Sequence, residues 1–592
     1  MTTKHIFNNQ QGLVVKGLHG LISSNPILRL DAHNKVVYNS QAHPDRVSVV
    51  SGGGAGHEPF AAAYVGDGML TAAVSGEIFA SPSTAQITSA LSLIPTGKGV
   101  LFIILNYTGD ALHFGLAAEK ARAKGIKAEM VVVGDDVAVG RKQGGLVGRR
   151  GLAGCVLVCK ILGAAAVKGM DLENLAAFGR HIVANLGTIG LSLDHCHVPG
   201  RTGEWESLEA GSCELGMGIH NEPGVRHIHQ QPDPKHLVDE MLTLLLGDDT
   251  DRNFVTWKED DKNGENGEGP VLMINNLGGT STLEMSAFAE EVVSQLASKW
   301  SVYPTRVLSG VYMTSLNGPG FSVTLLNTSG VQYQVHLLTL LDDVTTATGW
   351  AGAHGGWPKG KRNLAAEAKQ TEALLLSGTE AEATDDRKGP KNANPKDIES
   401  AIRAACLKVI ASEPDLTKWD TQVGDGDCGI TFATAAQAVI DGLGTPALPT
   451  TFASQTIASI VHILEPTMGG TSGAIFSLYL TALSGALQTQ PWNEAAHSAL
   501  EALLKYTPAR EGDRTLVDSL SPFCKALKEG KSLDAAVKAG AAGAEHTRGM
   551  RARLGRATYV GDGTTGTEGL PPDPGAWGVA ELFKGIQEGL RL

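Results

Sequence analysis

Val47-Ser-Val-Val-Ser-Gly-Gly-Gly-Ala-Gly-His-Glu58 sets a short apolar run directly before a glycine-rich polar loop, the pattern of a buried strand feeding a functional loop in a parallel sheet. Residues 100–105 before Asn-Tyr-Thr-Gly-Asp110 repeat it, as do residues 130–133 before Gly-Asp-Asp. Helical spacing fills the intervals, for example over residues 111–124. Such alternation predicts an α/β layered fold with ligands gathered outside the strands' carboxyl ends. Residues 269–341 continue in the same style, with strand-like runs at 271–274 and 321–326 around an amphipathic helix over 283–299. Two α/β subdomains within one N-terminal module follow.

Beyond residue 354 the character changes. Residues 355–394 are polar, proline-containing and mixed in charge with few apolar anchors, the composition of a linker. After it, residues 396–412, 431–443, 451–464, 474–483, 495–506 and 533–544 carry helical spacing rich in alanine and leucine, with no convincing strand. The expected organisation is an α/β module over residues 1–354, a linker over 355–394, and an all-α helical bundle over 395–592 with its glycine loops at one end.

Composition narrows the function. A net charge of −13 over 592 residues excludes nucleic acid or an anionic membrane as the main partner, since both need a basic footprint. No stretch approaches the length of a membrane span, and Met-Thr-Thr-Lys-His lacks the apolar core of a signal peptide. A cytoplasmic protein is expected. Seven cysteines, an odd number, make no disulfide framework, and Cys155 and Cys159 read as buried core thiols.

In the helical part, Asp420-Thr-Gln-Val-Gly-Asp-Gly-Asp427 places Asp420, Asp425 and Asp427 on one tight loop. Carboxylates so close repel unless a cation lies between them, and such oxygens suit Mg²⁺ carrying nucleotide phosphates. Asp-Gly turns with capping duties are the bland alternative. Met468-Gly-Gly-Thr-Ser-Gly473 precedes an apolar helical segment, so Thr471, Ser472 and nearby amides are a phosphate cradle or an ordinary cap. Gly512-Asp-Arg-Thr-Leu516, Gly561-Asp-Gly and Pro572-Asp-Pro-Gly575 add polar turns able to close over a nucleotide, and a Walker-type loop is absent from the sequence.

In the α/β part, the glycines of residues 51–58 let a small ligand approach the backbone, with His57 either a packing or a site histidine. Asp110 is a candidate general base or a helix cap. His220, in Leu-Gly-Met-Gly-Ile-His-Asn-Glu-Pro-Gly, is able to attack a carbonyl carbon as a neutral imidazole, against a structural alternative. Asp194-His-Cys-His197 superficially looks like a metal cluster but reads as structural.

Taken together, these motifs resemble, in order, the ATP-dependent dihydroxyacetone kinase (triokinase/glycerone kinase) family in its single-chain, two-domain form. The resemblance implies phosphoryl transfer from Mg-ATP to dihydroxyacetone, with glyceraldehyde as a second acceptor. It implies a hemiaminal between His220 and the triose, and substrate contacts from Gly54, Ala55, Gly56, His57 and Asp110. It also implies that His57 and Asp110 assist proton removal, that Asp420, Asp425 and Asp427 hold Mg²⁺, and that Asp425, Gly426, Asp427, Cys428, Thr471, Ser472, Thr515, Leu516, Asp573, Pro574 and Gly575 line the nucleotide site. The two modules are then brought together within one chain or across a homodimer. Some animal members also cyclise FAD, and a triose sensor with weak turnover is the non-enzymatic alternative. Leu105 departs from the family, which commonly has a substrate-contacting lysine there.

Overall fold

The computed structural model describes residues 5–144, 147–201, 207–258, 269–331, 333, 335–352, 357, 369–371, 389–392, 394–554 and 569–591. Most of the expected linker and the Gly561-Asp-Gly turn lie outside them. The chain divides into two compact units, Met1–Ala373 and Leu374–Leu592.

The first unit holds two six-stranded sheets. One comprises β1 (Leu28–Asp31), β2 (Val36–Asn39), β3 (Ser48–Ala55), β4 (Ala72–Ile78), β5 (Val100–Leu105) and β6 (Ala128–Val133), in the order β1-β2-β4-β3-β5-β6. Its β4-β3-β5-β6 part is parallel, as the repeated run-then-glycine pattern predicts. The other comprises β7 (Leu186–Ser192), β8 (Cys213–Leu215), β9 (Arg226–Ile228), β10 (Val271–Asn276), β11 (Arg306–Gly310) and β12 (Gly320–Leu326), in the order β11-β10-β12-β7-β8-β9. There only β10 and β11 run parallel.

Helix Gly154–Val167 is apolar apart from Lys160, whose ammonium donates to the Leu340 carbonyl at 2.7 Å, and is buried almost throughout, as a helix must be when no side of it meets water. It packs on β3 and β5 of the first sheet and on β7 of the second, so one core runs through residues of both sheets, including Ile103, Leu157 and Met273. Cys155 and Cys159 are buried in it, and the seven cysteines are free.

In the second unit the described residues form eight helices: Pro395–Val423, Cys428–Gly442, Ala453–Thr467, Gly470–Ala486, Trp492–Leu503, Val517–Lys528, Leu533–His546 and Pro574–Gly589. Each packs on its sequence neighbour and the last packs back on the first, which closes an up-and-down barrel. Closure depends on glycine. A Cβ at Gly578 would sit 2.5 Å from the Phe432 ring, and at Gly585 or Gly589 it would sit 2.4 Å from the backbone of the first helix. The barrel encloses an apolar cavity of about 730 Å³ lined by residues such as Val409, Ile457, Tyr479 and Leu520. Alternating helix direction brings the loops after residues 423, 467, 503 and 546 to the same end.

Candidate active site

His57 follows β3 and Asp110 lies in the first turn of helix Thr108–Ala123 after β5. Since β3 pairs with β5, both side chains share one crevice at the strands' carboxyl ends. The cap position of that helix belongs to Tyr107, without a side-chain cap, so Asp110 is not acting as the cap. The second sheet supplies His220 from the β8–β9 connection and Thr314 from the segment after β11.

The contacts form a line. His57 Nδ1 is 2.8 Å from the Thr314 carbonyl oxygen, His57 Nε2 is 3.0 Å from His220 Nε2, and His220 Nδ1 is 2.8 Å from Glu222 Oε1. Burial, then the neighbouring His220, pushes His57 down to about 3, so its ring is neutral. A carbonyl only accepts, which assigns the single proton of His57 to Nδ1 and turns its Nε2 lone pair toward His220. Burial works to raise Glu222, yet its bonds to His220 hold the carboxylate at about 2. Its Oε2 also accepts from the His220 amide at 2.9 Å.

Asp110 is 4% exposed. Burial pushes its carboxyl up to about 6, opposed by a Ser81 hydrogen bond and by His220 and His113. Its Oδ1 is buried without a hydrogen-bond partner, as is the Tyr107 hydroxyl, whose ring meets His220 edge-on at 4.8 Å. A buried acceptor left unsatisfied is costly, and a ligand hydroxyl relieves it.

Several parts of this site have no obvious sequence signal. Phe79 takes φ 59, uncommon for an aromatic residue, and its ring stacks on His57 at 5.2 Å while meeting His220 edge-on. It also explains two glycines. A Cβ on Gly54 would lie 3.0 Å from Phe79 backbone, and one on Gly56 2.8 Å from the Phe79 ring. Glu222 stood in a quoted motif without a role. Arg150 braces the same loop by bonding Asp136 Oδ2 at 2.7 Å and the Gly216 carbonyl at 2.7 Å. The Asp194–His197 segment is a second brace, since Asn221 Oδ1 accepts from the Cys196 amide and Asn317 Oδ1 from the His197 amide. Leu105, at the end of β5, is 2% exposed and belongs to the core. A Cβ on Gly151 would come within 2.8 Å of it.

In the second unit one carboxylate oxygen from each of Asp420, Asp425 and Asp427 lies within 4.8 Å of the others. Asp420 lies in the last turn of the first helix and accepts from the Cys428 amide at 3.0 Å. Gly426 supplies φ 82, and a Cβ on Gly424 would strike Asp420 Oδ1 at 2.2 Å. Burial and the surrounding carboxylates of Asp420, Asp573, Asp427 and Asp425 push the Cys428 thiol well up. A set of oxygen-only donors fits a hard divalent cation such as Mg²⁺.

Thr471 is exposed and Ser472 partly so, both in the first turn of helix Gly470–Ala486, which has no side-chain cap. Asp518 accepts from the Gly512 and Thr515 amides and shapes the turn carrying Thr515 and Leu516. Arg514 donates to the Pro571 carbonyl at 2.8 Å, and a Cβ on Gly575 would lie 3.5 Å from Leu516, so this turn adjoins Asp573, Pro574 and Gly575. Asp573 caps the last helix through the Ala576 amide at 2.8 Å. Burial pushes its carboxyl up to about 6, and Asp420 and Asp518 add to the rise.

A histidine pair in contact through Nε2 in an α/β unit, and a carboxylate loop on a helical barrel, define a two-domain chain whose halves match the Dak1 domain over residues 19–349 and the DAK2 domain over residues 422–588. The chain belongs to the dihydroxyacetone kinase family. It is 43% identical to a dihydroxyacetone kinase of Komagataella pastoris, over 99% of this chain and 98% of the relative. It is 37% identical to the triokinase/FMN cyclase of Homo sapiens, over the whole of both. The dihydroxyacetone kinase of C. freundii in complex with AMP-PNP and Mg²⁺ superposes with a TM-score of 0.61 at 31% identity, covering 99% of this chain and 100% of that one. Among the described residues, no helix is long and apolar enough to cross a membrane.

Proposed function

We propose that the protein is an ATP-dependent glycerone kinase that transfers the γ-phosphoryl of Mg-ATP to dihydroxyacetone held covalently on His220. The observation that carries this is the His220–His57 contact beside the unpartnered Oδ1 of Asp110. His220, with its proton on Nδ1 against Glu222, bonds the carbonyl carbon through the Nε2 lone pair. His57, neutral beside the ring, helps to place it, and the carbonyl oxygen takes up a proton from solvent as the C=O π bond opens, giving the hemiaminal. Glu222 keeps the Nδ1 proton in place and balances the charge on the substituted ring.

Covalent attachment fixes the orientation of the acceptor and selects a carbonyl-bearing triose over glycerol. Asp110, ionised above about 6, accepts the proton of the terminal hydroxyl as that oxygen attacks phosphorus and ADP departs. Asp420, Asp425 and Asp427 would hold Mg²⁺, which supplies charge neutralisation for the phosphates. Cys428, Gly426, Thr471, Ser472, Thr515, Leu516 and the Asp573–Gly575 turn are the nucleotide-facing residues of this reading. Glyceraldehyde is a second acceptor. A homodimer accompanies the reading on family resemblance, and a cytoplasmic setting on the sequence expectation.

The sensor alternative is weaker. A dihydroxyacetone kinase operon co-activator matches with a TM-score of 0.51 at 29% identity but covers only 57% of this chain, whereas the present chain also carries the DAK2 domain and its three carboxylates. Coupled measurement of ADP with dihydroxyacetone, glyceraldehyde and glycerol decides: the two trioses should drive release and glycerol should not. ADP release without triose dependence would overturn the kinase reading.

A further inference from the structure

The β8–β9 hairpin that presents His220 carries a second group of side chains at its opposite end. We propose that Glu209, His227 and His229 form a binding site for a divalent transition-metal cation of the zinc class. The register pairs Glu214 with His227, and the Gln231 amide donates to the Gly211 carbonyl at 2.7 Å, so pairing continues beyond β9. Residues two apart on a strand share a face, and the His227 and His229 rings stand 4.7 Å apart at 73°. The Ser212 amide and hydroxyl both donate to the Glu209 carbonyl, a tight turn that lays Glu209 beside His229, with Oε2 3.5 Å from Nδ1.

One ligand atom from each of these residues lies within 4.8 Å of the others. Tetrahedral zinc with bonds of about 2.0–2.1 Å sets its ligands about 3.4 Å apart. The side chains of His229 and Glu209 are 78% and 75% exposed, so rotation alone closes that gap. A second observation comes from behind the ring: the carboxylate of Glu214, only 13% exposed, lies 3.8 Å from His227 Nδ1 and is anchored by the Gly224 amide at 2.6 Å. At 3.8 Å the carboxylate stands just beyond hydrogen-bond reach of the ring, and a small turn of His227 brings it to the arrangement that orients a metal ligand.

Two imidazoles and one carboxylate favour a borderline cation, whereas the all-carboxylate loop of the second unit favours a hard one. The bound cation joins the turn before β8 to β9 and the residue after it. It thereby clips the base of the loop that holds His220 and Glu222. The site stands independently of the kinase reading, because its residues take no part in the proposed chemistry.

The test uses the full-length protein in excess Mg²⁺, titrated with Zn²⁺ against a chromophoric chelator. Wild type should bind one equivalent more than the His227→Ala/His229→Ala double variant, and Glu209→Gln and Glu214→Gln should each weaken that equivalent by about tenfold. Hydrogen exchange at residues 213–215 and 226–228 should slow with Zn²⁺ in wild type and not in the double variant, whose metal-free melting and circular dichroism check its fold. Equal stoichiometry in wild type and double variant, or strand protection by Zn²⁺ that survives loss of both histidines, would overturn the assignment.

Discussion

Asp110→Asn should make the protein more stable and nearly inactive at the same time. Folding raises the Asp110 carboxyl from 3.8 to about 6, chiefly by burial. At about 1.36 kcal/mol per pKa unit, keeping this group ionised in the folded chain costs about 3 kcal/mol at neutral pH. The sign follows from proton binding. Between 3.8 and about 6 the folded state binds more protons than the unfolded one, so stability is highest at low pH and falls as pH rises through the folded value. Asparagine keeps the shape and an acceptor for Ser81 without the charge. With about 2.1 cal/mol/K of unfolding entropy per residue over the unit Met1–Ala373, about 3 kcal/mol corresponds to a rise in Tm of about 4 °C at pH 7.5. Near pH 4, where wild-type Asp110 is protonated, the difference should vanish. Loss of a general base lowers kcat by about 10²–10⁴. Scanning calorimetry at both pH values, with steady-state kinetics at pH 7.5, reads both effects. A variant melting below wild type at pH 7.5, or gaining as much at pH 4, would refute the buried-charge argument; unchanged kcat would refute the role as base.

Three other outcomes follow from the same geometry. Glu222→Gln replaces a charge-assisted bond to His220 by a neutral one, a difference of about 1–2 kcal/mol, so kcat/KM for dihydroxyacetone should fall about 5- to 30-fold with KM for ATP unmoved. Asp425→Asn and Asp427→Asn should each raise the Mg²⁺ needed for half-maximal activity by about tenfold, measured at fixed ATP, while leaving triose binding to the first unit intact. Leu105→Lys should lower KM for dihydroxyacetone by restoring a donor, at the cost of a lower Tm because the position is 2% exposed; an unchanged or higher KM counts against the loss of a substrate contact there.

The parallel strands β3, β5 and β6 were legible because each is a short apolar run stopped by glycine, and a shared crevice for the His57 and Asp110 loops follows from adjacent strand ends. The mainly antiparallel order of the second sheet was not, since β7 pairs with β12, more than a hundred residues later, and no local pattern records such a partner. Helices Val517–Lys528 and Pro574–Gly589 were missed for a propensity reason: the first contains Pro522, and the second spends Gly578, Gly585 and Gly589 on close approach to its neighbours. The glycines of residues 52–56 read as room for a ligand; Gly52, Gly54 and Gly56 also admit Val74, Phe79 and Ala80, and a Cβ on Gly53 would lie 3.6 Å from the Asp110 carboxylate. Phe79 and Arg150 escaped because packing and bracing carry no spacing signature.

The most direct test of the account is the carbon-13 spectrum of dihydroxyacetone labelled at its carbonyl carbon, bound to the protein without nucleotide. His220 attack predicts that the bound signal leaves the ketone region for that of a tetrahedral carbon bonded to nitrogen and oxygen, in wild type but not in His220→Ala. A bound signal that stays in the ketone region, or one that shifts equally without His220, would contradict covalent capture and with it the role of the His57–His220 pair.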